Sequence, residues 1–241
     1  MYFLNNKGDG MEFPENPYQR EEATGFMYKI YGWMSFALAI TALVAFYIHK
    51  TPVLSSYFKG SFWVLILLII LQFALVIAIS AFILRMSYAT AILLFMLYAI
   101  SVGITFSFIF EVYTTASIYA TFLVTALMFL VTCLYGYFTK ADLTSWGSFG
   151  FMALIGIIIA SFVNIFLKST MFGFIMSIIG VFVFVLLTAY DTQKLKELGS
   201  RLVSAPEMKK KITILGALTL YLDFINLFLF LLRLMGQQKN N

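Results

Sequence analysis

The sequence predicts an all-α integral membrane protein of seven transmembrane helices, and three observations carry that prediction. Of the 241 residues, 62% are hydrophobic and 11% charged, where a soluble domain carries about 25% charged residues. The apolar residues gather into stretches of about eighteen or more with few or no charges, enough to cross hydrocarbon as a helix. Little chain is left between those stretches, so no separate soluble domain fits.

The residues before the first span, 1–25, are polar and contain no basic patch feeding an apolar run. They are expected to be a cytosolic tail rather than a signal peptide. The spans then fall at about 26–48, 62–84, 87–110, 115–137, 149–167, 172–191 and 212–235. The transmembrane domain is thus 26–236, and 237–241 is a short C-terminal tail. The links at Arg85 and at 111–114 are short, which makes neighbouring helices antiparallel. One connection is long: DTQKLKELGSRLVSAPEMKKK, 191–211, with six basic residues.

Lys and Arg are distributed unevenly between the two sides. Of the sixteen, only Lys50, Lys59, Lys168, Arg233 and Lys239 lie on the side away from the N-terminus. The positive-inside rule then puts the N-terminus and the 191–211 connection in the cytoplasm and the C-terminus outside. The same rule accounts for the net charge of +5, so no nucleic-acid partner is expected.

The polar residues inside the spans carry the functional argument. In LGALTLYLDFINLFLFLLRLMG, 215–236, Gly216, Thr219, Asp223, Asn226 and Arg233 share one helical face. The opposite face is Leu, Phe and Tyr. Such a stripe should face protein or water rather than lipid, which makes the seventh helix a candidate for the centre of the bundle. The sixth span ends MSIIGVFVFVLLTAYD, where Ser177, Gly180, Thr188 and Asp191 share a face. For Asp191 to meet Asp223, the sixth helix must run on through QKLKEL, leaving Asp191 at the foot of a vestibule.

Two adjacent carboxylates cannot both ionise cheaply, so the pair holds a proton and titrates as a unit. Arg85, on the same side, is the candidate cation for Asp191; its bland reading is a positive-inside anchor. Asp191 has a bland reading as an interface residue, and Asp223 one as inert structure. A carboxylate in mid-membrane is costly and usually functional.

Weaker signals surround these. Tyr98, Ser101 and Thr105 share a face of the third span and are expected to hydrogen-bond between helices. Gln72 and Asn164 are single polar residues in apolar spans. Gly156 with Ala160, and Gly173 with Ser177, are small-residue pairs that suit either close helix contact or a lipid-facing surface. His49 and Glu111 are expected to be solvated bystanders.

Several classes are excluded. Cys133 is the single cysteine, so no intrachain disulfide forms. One loop histidine cannot build a membrane zinc hydrolase or a serine–histidine intramembrane protease. A retinal protein needs a lysine within its last helix, and Lys211 is only at the start. No phosphate-binding glycine loop is present. One enzyme class remains as an alternative, the presenilin-like aspartyl proteases, on Tyr190–Asp191 and Asp223. Their Gly-x-Gly-Asp motif is replaced here by Leu220-Tyr221-Leu222-Asp223, and their Pro-Ala-Leu signature is absent. The chain is therefore not expected to be an enzyme.

At these same residues the chain resembles the Bax inhibitor-1 family. The resemblance rests on LYLDFINLFLFLLR at 220–233 and AYDTQ at 189–193. YGYFTKADLTSWG at 135–147 and TGFMYKIYGWM at 24–34 extend it over nearly all the membrane part. It implies a bacterial-type member with a central seventh helix wrapped by the other six. It also implies a pH-sensitive calcium leak gated by an aspartate pair, matching Asp191 and Asp223, with an arginine partner mapped to Arg85. Calcium would then be a weakly and transiently bound permeant ion at Asp191 and Asp223, with Asn226, Arg233 and Thr188 in support and no tightly bound cofactor. Other bacterial members are linked to a membrane protease. That leaves a second reading: a non-conducting protein of the plasma (inner) membrane that regulates a protease or another membrane partner.

Overall fold

The computed structural model describes residues 17–53, 62–202 and 204–239. Among them are seven helices long and apolar enough to cross a membrane. They are α1 (Pro17–Lys50), α2 (Phe62–Phe82), α3 (Tyr88–Phe106), α4 (Thr115–Phe138), α5 (Thr144–Leu167), α6 (Thr170–Arg201) and α7 (Pro206–Met235). A single helical turn, Ile109–Val112, completes the third span. Helix starts follow local chemistry. The side chains of Ser87, Thr114 and Ser169 accept from the amides of Thr90, Ser117 and Phe172, satisfying donors that the first turn leaves orphaned. Pro206 opens α7, where a missing N–H costs nothing.

Two boundaries differ from those expected. α1 begins at Pro17, so residues 17–25 are helical rather than tail; residues 1–16 of the expected tail lie outside the described residues. The long 191–211 connection is helix almost throughout, and only 202–205 joins α6 to α7. Hydropathy stops where charge begins, but a helix continues for as long as one face is covered. Here Thr192, Gln193, Leu195, Gly199 and Ser200 are buried, and the Phe26 ring of α1 lies over Gly199. The C-terminal tail is tied down as well: Thr114 N donates to Gln237 O and Lys239 N to Val112 O.

α7 is the most buried span, at 67%, against 11–39% for the others. Its main contacts are α1, α3, α4 and α6; α2 packs on α3, and α5 on α6. The shell around α7 is thus chiefly four helices, with two more laid outside it. Between α1, α3 and α7, the Thr41 hydroxyl lies 2.7 Å from Tyr221 Oη and 3.0 Å from the carbonyls of Ala37 and Ala99. Tyr221 is fully buried and meets the rings of Phe95 and Tyr98 edge-on.

Lipid supplies no hydrophobic drive between helices, so close contact depends on small residues. At Gly136 of α4, a Cβ would collide with the Ala189 carbonyl of α6. Of the two small-residue pairs, Gly173 and Ser177 are buried, whereas Gly156 has nothing within 4 Å of where a side chain would begin. Gly156 is a lipid-facing residue.

Candidate functional site

α6 runs ten residues past Asp191, and that extension brings Asp191 into the bundle. Together with Asp223 of α7 it lines one cavity of about 830 Å³. Gln72 of α2, Tyr98 of α3, and Thr219 and Asn226 of α7 supply the other uncharged polar groups in the wall, together with Tyr190 of α6 and Ser148 of α5. The rim is apolar: Phe73 of α2, and Phe151 and Met152 of α5, line the cavity and are largely exposed. The cavity therefore opens between α2 and α5, the two helices of the outer layer. Asp223 is 4% exposed, and its Oδ2 is buried with no hydrogen-bond partner. Thr192 Oγ1 is buried without a partner as well. Asp191 is half-buried.

The cation in this cavity is Lys194, one turn beyond Asp191, with its Nζ 5.4 Å from the centroid of the Tyr190 ring. The expected arginine is elsewhere. Arg85 is exposed in the α2–α3 turn and does not line the cavity. The sequence signal for Lys194 was available. Residues three apart on a helix are neighbours, but only if the helix runs past Asp191.

The supporting residues divide. Asn226 lines the cavity and donates Nδ2 to Leu222 O at 2.8 Å. Thr188 is buried and folds its hydroxyl back onto Phe184 O at 2.6 Å. Arg233 is at the opposite end of α7, in a different cleft. Gln72 crosses from α2 to α3, donating to Thr105 Oγ1 at 2.7 Å and Ser101 O at 3.1 Å. His49 and Glu111 are partners rather than bystanders. The Nδ1–Oε1 distance is 3.3 Å, and the imidazole stacks on Phe110.

The stretch 135–147 holds Asp191 in place. Gln193 accepts from Leu143 N at 3.0 Å and donates to Ala141 O at 2.8 Å. Lys196 Nζ donates to Tyr137 O at 2.6 Å. A Cβ on Gly147 would lie 2.5 Å from the Tyr190 ring. Thr24 of α1 reaches the same place, 2.9 Å from Tyr137 Oη. The segments 24–34, 135–147 and 189–193 thus converge around one end of α6.

Comparisons with known proteins identify the family. The family profile described as inhibitor of apoptosis-promoting Bax1 matches residues 23–240. The chain belongs to the Bax inhibitor-1 family. It is 51% identical to the inner membrane protein YbhL of Escherichia coli (strain K12) over 89% of this chain and 92% of that one. A protein of Borreliella burgdorferi is 43% identical over 90% of this chain and 93% of its own length. The YrjE protein of Lactococcus lactis is 36% identical over 90% and 92%. The chain is thus an integral membrane protein of this family, and the match covers α1 from residue 23 onward and the six later spans whole.

No group of three or more His, Cys, Asp or Glu capable of holding a metal ion occurs among the described residues. The carboxylate pair is the acidic feature of the cavity. A second cavity, about 860 Å³, lies between α1 and α4 and is lined mostly by apolar side chains, with Phe224 in its wall.

Proposed function

We propose that the protein is a pH-sensitive calcium leak channel of a bacterial inner membrane, with Asp191 and Asp223 as its gate. The observation that carries this reading is the single cavity lined by both carboxylates, with Asp223 Oδ2 buried and unpartnered. Burying such a group is costly, and the cost is understandable where a proton or a cation visits it. Calcium takes oxygen ligands, usually six to eight. Two carboxylates with the oxygens of Thr219 and Asn226 are too few for tight binding, and a weak site suits an ion that must also leave.

In this mechanism the ionised pair attracts Lys194, which ties the α6 extension against α7. Acid protonates the pair, releases Lys194, and lets α6 move relative to α7. In this reading the N-terminus is cytoplasmic and the C-terminus external, the orientation that the distribution of Lys and Arg favours. No catalysis and no tightly held cofactor enter this reading. The test is calcium flux into proteoliposomes of the purified chain from about pH 8 down to about pH 5, because two adjacent carboxylates share a proton and titrate as a unit. Flux should rise as pH falls; flux without pH dependence removes the gate.

The apolar groove between α1 and α4 favours a second reading, a non-conducting protein that seats another membrane protein. Vesicles with no calcium flux at any pH would favour it.

A further inference from the structure

Arg233 belongs to a different site. At the end of the bundle away from the aspartate pair, the end of α5, the start of α6 and the end of α7 enclose a cleft of about 690 Å³. Lys168 and Arg233 both line it, and both are exposed. Neither forms an ion pair among the described residues, and no Asp or Glu lines the cleft. The remaining polar wall is rich in donors. Asn164 uses Oδ1 to accept from Ser169 N, which leaves its Nδ2 free to donate; that atom lies 3.3 Å from where a Cβ of Gly173 would stand. Thr170 brings a hydroxyl. The Ser169 cap takes the amide of Phe172, so the amides of Thr170 and Met171 in the first turn of α6 have no intrahelical acceptor.

We propose that this cleft binds a phosphate oxyanion. Arg233 supplies the planar fork that suits phosphate, Lys168 a point charge, and Asn164 and Thr170 neutral donors. The first turn of a 32-residue helix adds its partial positive charge. The surroundings favour a lipid headgroup as the source. Met171 and Phe174 line the cleft and are exposed, and the cleft lies where three spans end, the level that headgroups occupy. An anionic phospholipid can place its phosphate there and its chains along those side chains.

The experiment is native mass spectrometry of the full chain in detergent, titrated with phosphatidylglycerol and, in parallel, with phosphatidylcholine. Inorganic phosphate is the competitor. Wild type should retain one phosphatidylglycerol in preference to phosphatidylcholine. The double variant Lys168→Gln, Arg233→Gln should bind it about tenfold or more weakly, as expected for losing two charge-assisted contacts. Lys50→Gln, which removes a cation at the same end but outside the cleft, should bind as wild type does. Lys168 has φ 50°, so Lys168→Gly removes the charge while suiting the backbone; it should lose affinity with no fall in melting temperature. Displacement by millimolar inorganic phosphate would identify free phosphate as a ligand of the same oxyanion site; no displacement would identify the lipid. Equal binding by wild type, the double variant and Lys168→Gly overturns the proposal.

Discussion

Asp191 and Asp223 face one cavity from neighbouring helices, and Lys194, one turn along from Asp191, faces it with them. That three-residue relationship places two carboxyl groups and one ammonium group in a space open to the hydrophobic rim formed by α2 and α5. For the proposed leak, the consequences follow from the charge balance of these three groups.

Replacing either carboxylate by its amide mimics protonation. Asp191→Asn should raise calcium leak at neutral pH and flatten the pH response. The half-exposed pair interaction is worth about 1 kcal/mol, so the rise should be about fivefold. Asp223→Asn should also flatten the response and should lower the maximal flux, because Asp223 is the more deeply buried of the two carboxyl groups. Proteoliposome flux across the pH range measures both; two variants with wild-type profiles would end the gating mechanism.

The cation can be identified by comparing two variants. Lys194→Met should reproduce the Asp191→Asn profile, since either change removes the same attraction. Arg85→Ala should leave the profile as it is, because Arg85 is exposed in the α2–α3 turn. The opposite pattern, with Arg85→Ala active and Lys194→Met silent, would return the role to the arginine.

Gly136 sets the distance between α4 and α6. Gly136→Ala forces a methyl group into the Ala189 carbonyl, and overpacking of this kind costs about 1–3 kcal/mol. Gly156→Ala meets open space and should be neutral or stabilising by up to about 1 kcal/mol from helix propensity alone. Thermal unfolding of the two variants in detergent should separate them, with Gly136→Ala melting lower.

Thr41 and Tyr221 should behave asymmetrically. Tyr221→Phe leaves Thr41 its backbone carbonyls and should cost about 1 kcal/mol, the net worth of an ordinary hydrogen bond. Thr41→Val leaves the Tyr221 hydroxyl buried without a partner and should cost more, about 1–3 kcal/mol. A double-mutant cycle with no coupling between the two positions would contradict the bond.

Topology is open to direct labelling. In a Cys133→Ser background, Lys168→Cys should react with a membrane-impermeant maleimide added outside cells, and Lys140→Cys should not. Reaction of both from one side would exclude an odd number of spans between them.

The sequence alone determined the solvent. Seven apolar stretches name seven spans because the transfer of a side chain into hydrocarbon is a property of that side chain, additive along the chain. It also singled out Asp223, since a carboxylate amid Leu and Phe is conspicuous without any knowledge of its neighbours. What only the tertiary structure decided is which polar groups meet. α6 continues past Asp191 because Phe26, far away in the chain, covers Gly199, and because Gln193 and Lys196 bond the 135–147 segment. That continuation turns a long charged connection into helix and sets Lys194 beside Asp191. By sequence Arg85 is the candidate cation and Arg233 a supporting residue, yet one is exposed in a turn and the other at the far end of the bundle. Burial follows from residue type, but the meeting of two charges depends on helix length and on close approaches such as Gly136 to Ala189, which are set by packing between segments distant in sequence.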